Sequence, residues 1–259
     1  MNAAILHTKD TYPQSVEVIV PLIIDMLAPQ SVVDFGCGVG CWLSGFKHHD
    51  VHDILGIDGS SIFDKDLLIP QESYLPFDLE RIRELAIDRP FDVALCLECA
   101  EHLDAEIAPQ LVETLCRVAP HVVFSAAVPG QTGMGHKNEQ YPDYWQSLFF
   151  RHGFQMYDYF RPLVWNDKRV EFWYRQNMYL FSRSPQHFRR PASEWDGTVY
   201  ITRELLEIYV RWLGTRNAEK LINPNNIEML RRSITPPVRP KFYRRLLAQL
   251  RHFVSQDLK

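Results

Sequence analysis

The chain is short of several things, and each shortage narrows its class. Five cysteines among 259 residues is an odd and small number, which excludes the disulfide framework of a small secreted domain. Long apolar runs are missing too. The longest, residues 18–28, is interrupted by Pro21 and Asp25 and is too short to span a bilayer. The first residues lack a basic stretch followed by an unbroken apolar core, so no secretory signal is expected. There is no internal repeat and no low-complexity tract. With 46% hydrophobic and 23% charged residues the composition is that of a globular domain, not of a disordered or fibrous chain. The expected location is a reducing cytoplasm.

Net charge is small, −4, but unevenly spread. Residues 184–259 hold 14 of the 28 basic side chains and only 7 of the 32 acidic ones, a local balance of +7 against −11 for residues 1–183. An acidic body argues against a general nucleic-acid binder, while the basic end leaves room for an anionic partner. The change of character near residue 183 suggests two parts: a main domain over 1–183 and a basic, helical, proline-punctuated extension over 184–259. About 75 residues with prolines at 185, 191, 224, 236, 237 and 240 would form a marginal core alone.

Strand-like and helix-like segments alternate through the main domain, the pattern of a parallel sheet covered by helices. A helix is expected over Ser15–Ala28, then a buried strand at Ser31–Phe35, a glycine-rich turn, and a helix through Trp42, Leu43 and Phe46. Further strands are expected at Asp53–Ile57, Tyr74–Phe77, Phe91–Leu97 and His121–Ala126. A helix from near Asp104 to Pro120 precedes the last of these. Another helix is expected around Asp143–His152, then strands at Gln155–Phe160 and Phe172–Phe181. The extension holds helical stretches over Arg203–Leu213 and Lys241–Leu258.

The most informative segment is Val33-Asp-Phe-Gly-Cys-Gly-Val-Gly40. Closely spaced glycines between a strand and a helix let a ligand approach exposed N–H groups. A dinucleotide fingerprint needs G-x-G-x-x-G, whereas Gly36, Gly38 and Gly40 are spaced two and two. Asp34, two positions earlier, is unhelpful to a pyrophosphate but suits a ligand with positive charge. Asp58 ends the next strand, where a carboxylate can accept both hydroxyls of a ribose. Asp78 follows the third, placed to bond an exocyclic amine while Phe77 or Leu79 flanks a base. Three carboxylates at the carboxyl ends of successive strands converge on one crevice in an open α/β sheet.

On these residues, in this order, residues 15–183 resemble the class I S-adenosylmethionine (SAM)-dependent methyltransferases. The resemblance implies a Rossmann-like seven-stranded, mostly parallel sheet with helices on both faces and an antiparallel last strand, here Phe172–Phe181. It implies SAM as cofactor, with Gly36 and Gly38 against its amino-acid part and Asp58 at the ribose, and Asp34, Cys37 and Gly59 are expected among the cofactor-binding residues. Phe77, Asp78 and Leu79 then lie at the adenine, and Leu97 and Glu98 near the methionine portion. The stretch Gly135–Trp145, followed by Phe149 and Gly153-Phe154, resembles small-molecule and glycan O-methyltransferases.

A hydroxyl is a poor nucleophile, so a base near the sulfonium would help. His102, just past the fourth strand, and His136, in the loop after the fifth, are the candidate catalytic residues, since imidazole titrates near neutrality. Asn138, Tyr141 and Trp145 are candidate acceptor contacts, with Glu139 beside them and Trp145 also suited to packing on a helix face. Glu98, Glu101 and His102 share an i, i+3, i+4 spacing that would put them on one side of a helical turn. Some ubiquinone-pathway O-methyltransferases carry a similar Glu-x-x-Glu-His stretch and use it for a divalent cation; here no metal is expected. Cys37, Cys41, Cys96 and Cys99 read as buried thiols rather than as zinc ligands.

The expected activity is thus transfer of a methyl group to a hydroxyl of a small molecule or sugar. Alternatives are a SAM-binding protein without transfer and an N-methyltransferase of a small amine. Leu97-Glu-Cys-Ala100 stands where enzymes acting on base amines carry Asp/Asn-Pro-Pro-aromatic, which disfavours nucleic-acid amines. In the extension, Phe242, Leu246, Leu250 and Phe253 recur at helical spacing beside Lys241, Arg244, Arg245 and Arg251. That basic amphipathic face suits packing on the domain, a second copy in a homodimer, or peripheral contact with a membrane or lipid-linked glycan.

Overall fold

The computed structural model describes residues 14–59, 67–197 and 202. The chain divides after Trp195 into two units, and the expected helices over Arg203–Leu213 and Lys241–Leu258, with the basic amphipathic face, lie outside the described residues.

The first helix, α1 (Gln14–Leu27), buries Val16, Ile19, Val20, Ile23 and Met26, a helical period that lays one face on the sheet. The strands follow as β1 (Ser31–Phe35), β2 (Asp53–Asp58), β3 (Tyr74–Pro76), β4 (Val93–Leu97), β5 (His121–Ser125), β6 (Gln155–Tyr157) and β7 (Tyr179–Ser182). Helices α2 (Cys41–His48), α3 (Ala108–Val118), α4 (Pro142–Phe150), α5 (Phe160–Val164) and α6 (Phe172–Asn177) connect them. All residues of β4, β5 and β7 are buried, and their apolar runs fit a sheet covered on both faces.

The seven strands lie in the order β3-β2-β1-β4-β5-β7-β6. Pairing is parallel from β3 through β5, and β7 runs antiparallel between β5 and β6. The chain leaves β1 toward β2 and β3, then returns to place β4 on its other side. That reversal opens a crevice beyond the carboxyl ends of β1 and β4, where open α/β sheets take ligands.

One expected strand is corrected. Phe172–Phe181 reads as a continuous strand because it is rich in aromatic residues, yet its first part is helix α6 and only Tyr179–Ser182 is strand. Tyr174, Arg175, Gln176 and Asn177 are buried in succession, a pattern that period-2 alternation does not allow. Packing decides the helix: Tyr174 sets its ring edge-on to Trp42 of α2, centroids 5.1 Å apart. Similarly, Gln155–Phe160 is strand only to Tyr157, and α5 begins at Phe160.

Candidate active site

The glycine turn is locked to its neighbouring strand. Gly36 and Cys37 donate backbone N–H groups to the Ile57 carbonyl at 2.8 and 3.3 Å. Two of the glycines are required for different reasons. Gly36 has φ +79°, and a Cβ there would lie 2.4 Å from the sulfur of Cys99. Gly38 has φ +54° with nothing within 4 Å of where its Cβ would stand, so its backbone faces open space. Asp58 braces the turn, accepting from the Gly38 N–H at 2.7 Å and from the Gly59 N–H at 2.6 Å. Tyr74 holds the Gly59 carbonyl through its hydroxyl at 2.7 Å.

Asp34 is different in kind. It is 1% exposed, and one carboxylate oxygen has no hydrogen-bond partner. Burial, reinforced by the like charge of Asp58, pushes its pKa up to about 7. A buried carboxylate left with an unmet oxygen is costly unless a cationic or hydrogen-donating ligand meets it. The thiol of Cys37 is buried beside it and donates to the Gly38 carbonyl at 3.3 Å.

Beyond β3, Phe77 is half-buried and its N–H donates to the Asp58 carbonyl at 2.7 Å, joining the two strand ends. Asp78 is exposed and caps the following 3-10 turn, accepting from the Glu80 N–H at 3.0 Å, while Leu79 is buried beneath it.

Past β4, Leu97 is buried and Glu98 takes a left-handed conformation, φ +48°. Its N–H donates to the Ser125 carbonyl at 3.0 Å. Its carboxylate accepts from Gln131 at 3.0 Å and from Asn177 at 3.4 Å, and Asn177 also donates to Gln131 at 2.8 Å. Burial raises the pKa of Glu98 against the lowering effect of these bonds. The left-handed residue stands just ahead of the 3-10 turn Ala100–His102, outside its helical geometry, and the Glu98 carboxylate is not among the ligand atoms that meet on that turn. The single face expected for Glu98, Glu101 and His102 is therefore not formed.

Another group converges instead. Ligand atoms of Glu101, His102 and His136 all lie within 4.8 Å of one another, and among the described residues these are the His, Cys, Asp and Glu side chains that meet in metal-ligand fashion. The two imidazoles are edge-to-face, centroids 4.9 Å apart. The His136 loop is fixed to the turn by Lys137 and Asn138, whose N–H groups donate to the Glu101 carbonyl at 2.8 and 3.0 Å. Lys137 also reaches Glu80 at 2.6 Å and Asp104 at 3.1 Å. Burial and the neighbouring His136 lower the pKa of His102.

The candidate acceptor residues follow on the same loop. Asn138 is buried, its carbonyl oxygen accepting from Gln140 at 2.8 Å and its amide nitrogen unpartnered. Tyr141 is half-buried at the start of α4. Trp145 is turned inward against Phe124, centroids 4.9 Å apart, and lines a small cavity with Gln140, Asn177 and Tyr179. Gln131 and Asn177 escaped the sequence reading. Asn177 was hidden inside the expected strand, though an antiparallel β7 must begin at the edge where β4 and β5 end.

A family model described as "Methyltransferase domain" matches residues 16–165, more than half of the chain. The chain belongs to that family. As a methyltransferase domain it takes its methyl group from SAM, and the residues present fit that molecule: an open glycine backbone at Gly38, a carboxylate at the end of β2, and a buried, incompletely bonded Asp34 suited to a cation. No curated protein matches the sequence. Among solved structures, the sugar N-methyltransferase KedS8 from Streptoalloteichus sp. aligns with TM-score 0.52 at 13% identity, over 66% of this chain and 87% of that one. An O-methyltransferase family protein from Burkholderia thailandensis aligns with TM-score 0.45 at 12% identity, over 68% of this chain and 56% of that one. Magnesium protoporphyrin IX methyltransferase from Synechocystis PCC 6803 aligns with TM-score 0.46 at 16% identity, over 71% and 89%. The methyltransferase domain thus spans little more than half the length of the Burkholderia chain.

Proposed function

We propose that the protein methylates a hydroxyl group of a small molecule or sugar. The observation that carries this reading is the pair of imidazoles, His102 and His136, on the turn after β4 and the loop after β5. The turn packs on the glycine loop through Cys99, against which Gly36 lies. SAM, when bound, supplies a methyl group on a positively charged sulfur. Gly36, Gly38 and Cys37 would hold its amino-acid part, Asp58 and Gly59 its ribose, Phe77, Asp78 and Leu79 its adenine, and Leu97 and Glu98 its methionine portion.

The chain's own contribution is alignment and proton removal. Most of the rate of an in-line displacement can come from fixing the reacting atoms. Glu98, held by Gln131 and Asn177, forms a stiff polar wall for that purpose. His136 bonds Glu139 through Nδ1 at 2.8 Å, which orients its ring and leaves Nε2 to accept the hydroxyl proton. Asn138 and Tyr141 are placed to orient the acceptor, and the acidic body disfavours nucleic acid as that acceptor.

The test is methyl transfer from labelled SAM to a panel of hydroxyl and amine acceptors, with His102→Ala and His136→Ala beside the parent. At least one variant should lose about 100-fold or more in turnover while SAM affinity stays within twofold. Parent-like turnover in both would remove the base role, and exclusive methylation of amines would replace hydroxyl with nitrogen.

A further inference from the structure

We infer that Lys137 is a positioning residue for methyl transfer: it straps the loop after β5 to the turn after β3, so that a donor held on that turn orders the side chains facing the acceptor. The inference rests on the proposed placement of adenine at residues 77–79 and of the acceptor along the loop that carries His136 and Asn138.

The strap is continuous in hydrogen bonds. The Asp78 carboxylate accepts from the Glu80 N–H at 3.0 Å. Glu80 in turn accepts from the Lys137 ammonium at 2.6 Å, and the same ammonium lies 3.1 Å from Asp104. The Asp104 N–H also donates to the Glu80 carboxylate, at 3.2 and 3.3 Å. Without a cation between them, Glu80 and Asp104 would be converging like charges. Both carboxylates hold the Lys137 ammonium above its ordinary pKa, so its charge persists at every physiological pH. On the main chain, Lys137 and Asn138 donate to the Glu101 carbonyl. One residue therefore joins the loop to the turns after β3 and β4.

Local preference does not fix this loop. Residues 132–135 are exposed, and Gly130, Thr132 and Gly135 take left-handed backbone, with φ +84°, +58° and +81°. Its shape depends on anchors. Glu139 closes the loop on itself, between the Gly130 N–H and His136. Lys137 supplies the anchor on the donor side. Its side chain is 47% exposed, and exposed ion pairs contribute little to global stability. The strap acts locally, on how often the loop opens. Adenine resting on residues 77–79 would stiffen the turn that carries Glu80, and the coupling passes through Lys137. Such coupling is reciprocal, so the acceptor binds better once SAM is in place.

The experiment measures amide hydrogen exchange over residues 129–140 of the full chain, with and without SAM. In the parent, SAM should slow exchange at residues 137 and 138 by about fivefold or more. Lys137→Met should speed exchange there and reduce the effect of SAM to less than twofold, with thermal melting reporting that the domain remains folded. Lys137→Arg, whose guanidinium can reach both carboxylates, should restore the effect. Arg89→Met, which breaks an exposed pair with Asp53 at the opposite end of β2, should leave exchange at 137 and 138 unchanged. With an acceptor that turns over, Lys137→Met should raise its KM about fivefold while kcat stays within twofold, because a saturating acceptor itself orders the loop. Equal exchange in parent and Lys137→Met overturns the strap, and protection that ignores SAM in the parent overturns the coupling. SAM-dependent protection lost in Lys137→Met, in a chain that methylates no hydroxyl, supports the strap and removes only the proposed acceptor.

Discussion

A carboxylate that titrates near pH 7 links stability to ligand binding at a single residue. Asp34 has its folded-state pKa raised above the unfolded value near 3.8. Its contribution to stability is therefore complete below about pH 4 and is lost as pH rises through 7, a change of up to about 4 kcal/mol in the unliganded chain. The positive charge of SAM favours the ionised form, so binding should tighten with pH and release a proton. Calorimetry near pH 6.5 in buffers of different ionisation enthalpy should give different apparent heats, and Asp34→Asn should abolish the difference. Glycines offer a second contrast at this scale. Gly38→Ala meets no atom and costs only about 1–2 kcal/mol for its left-handed backbone, yet should weaken SAM at least tenfold. Gly36→Ala drives a methyl group into Cys99 and should lose both fold and ligand. Thermal melting and equilibrium dialysis separate the two.

At the scale of elements, the parallel strands were legible because each is a short apolar run bounded by turn residues, and Asp34, Asp58 and the glycines sit at their ends. The last third of the domain was less so. Arg161 shows why. It is 1% exposed, bonds Asp158 at 2.8 and 2.5 Å, and lies over the Tyr179 ring at 4.2 Å. This charge inside an aromatic cluster joins α5 to β7, a contact with no signature in local periodicity. Arg161→Met should cost about 3–5 kcal/mol, because the Asp158 carboxylate loses its partner. Urea unfolding measures the loss, and a change below 1 kcal/mol would show that solvent already carries that charge. The same blindness hid α6, where a run of aromatic residues takes its conformation from Trp42 rather than from its own preference.

For the whole molecule, the order of the strands governs what meets what. Reversal of the chain between β1 and β4 gathers the glycine turn, Asp58 and Glu98 at one edge, and the antiparallel course of β7 carries Asn177 to it. Among the described residues no helix is long and apolar enough to cross a membrane. The amino-acid sequence by itself determined the alternation of strand and helix, the spacing of the glycines and the carboxylates at the strand ends, because these depend on neighbours a few positions apart. Tertiary structure alone decided that Glu98 bonds Gln131 and Asn177 while His136 joins Glu101 and His102. Those partners are 33, 79 and about 35 positions distant, and only the left-handed turn at Glu98 and the loop anchored on the Glu101 carbonyl bring them together.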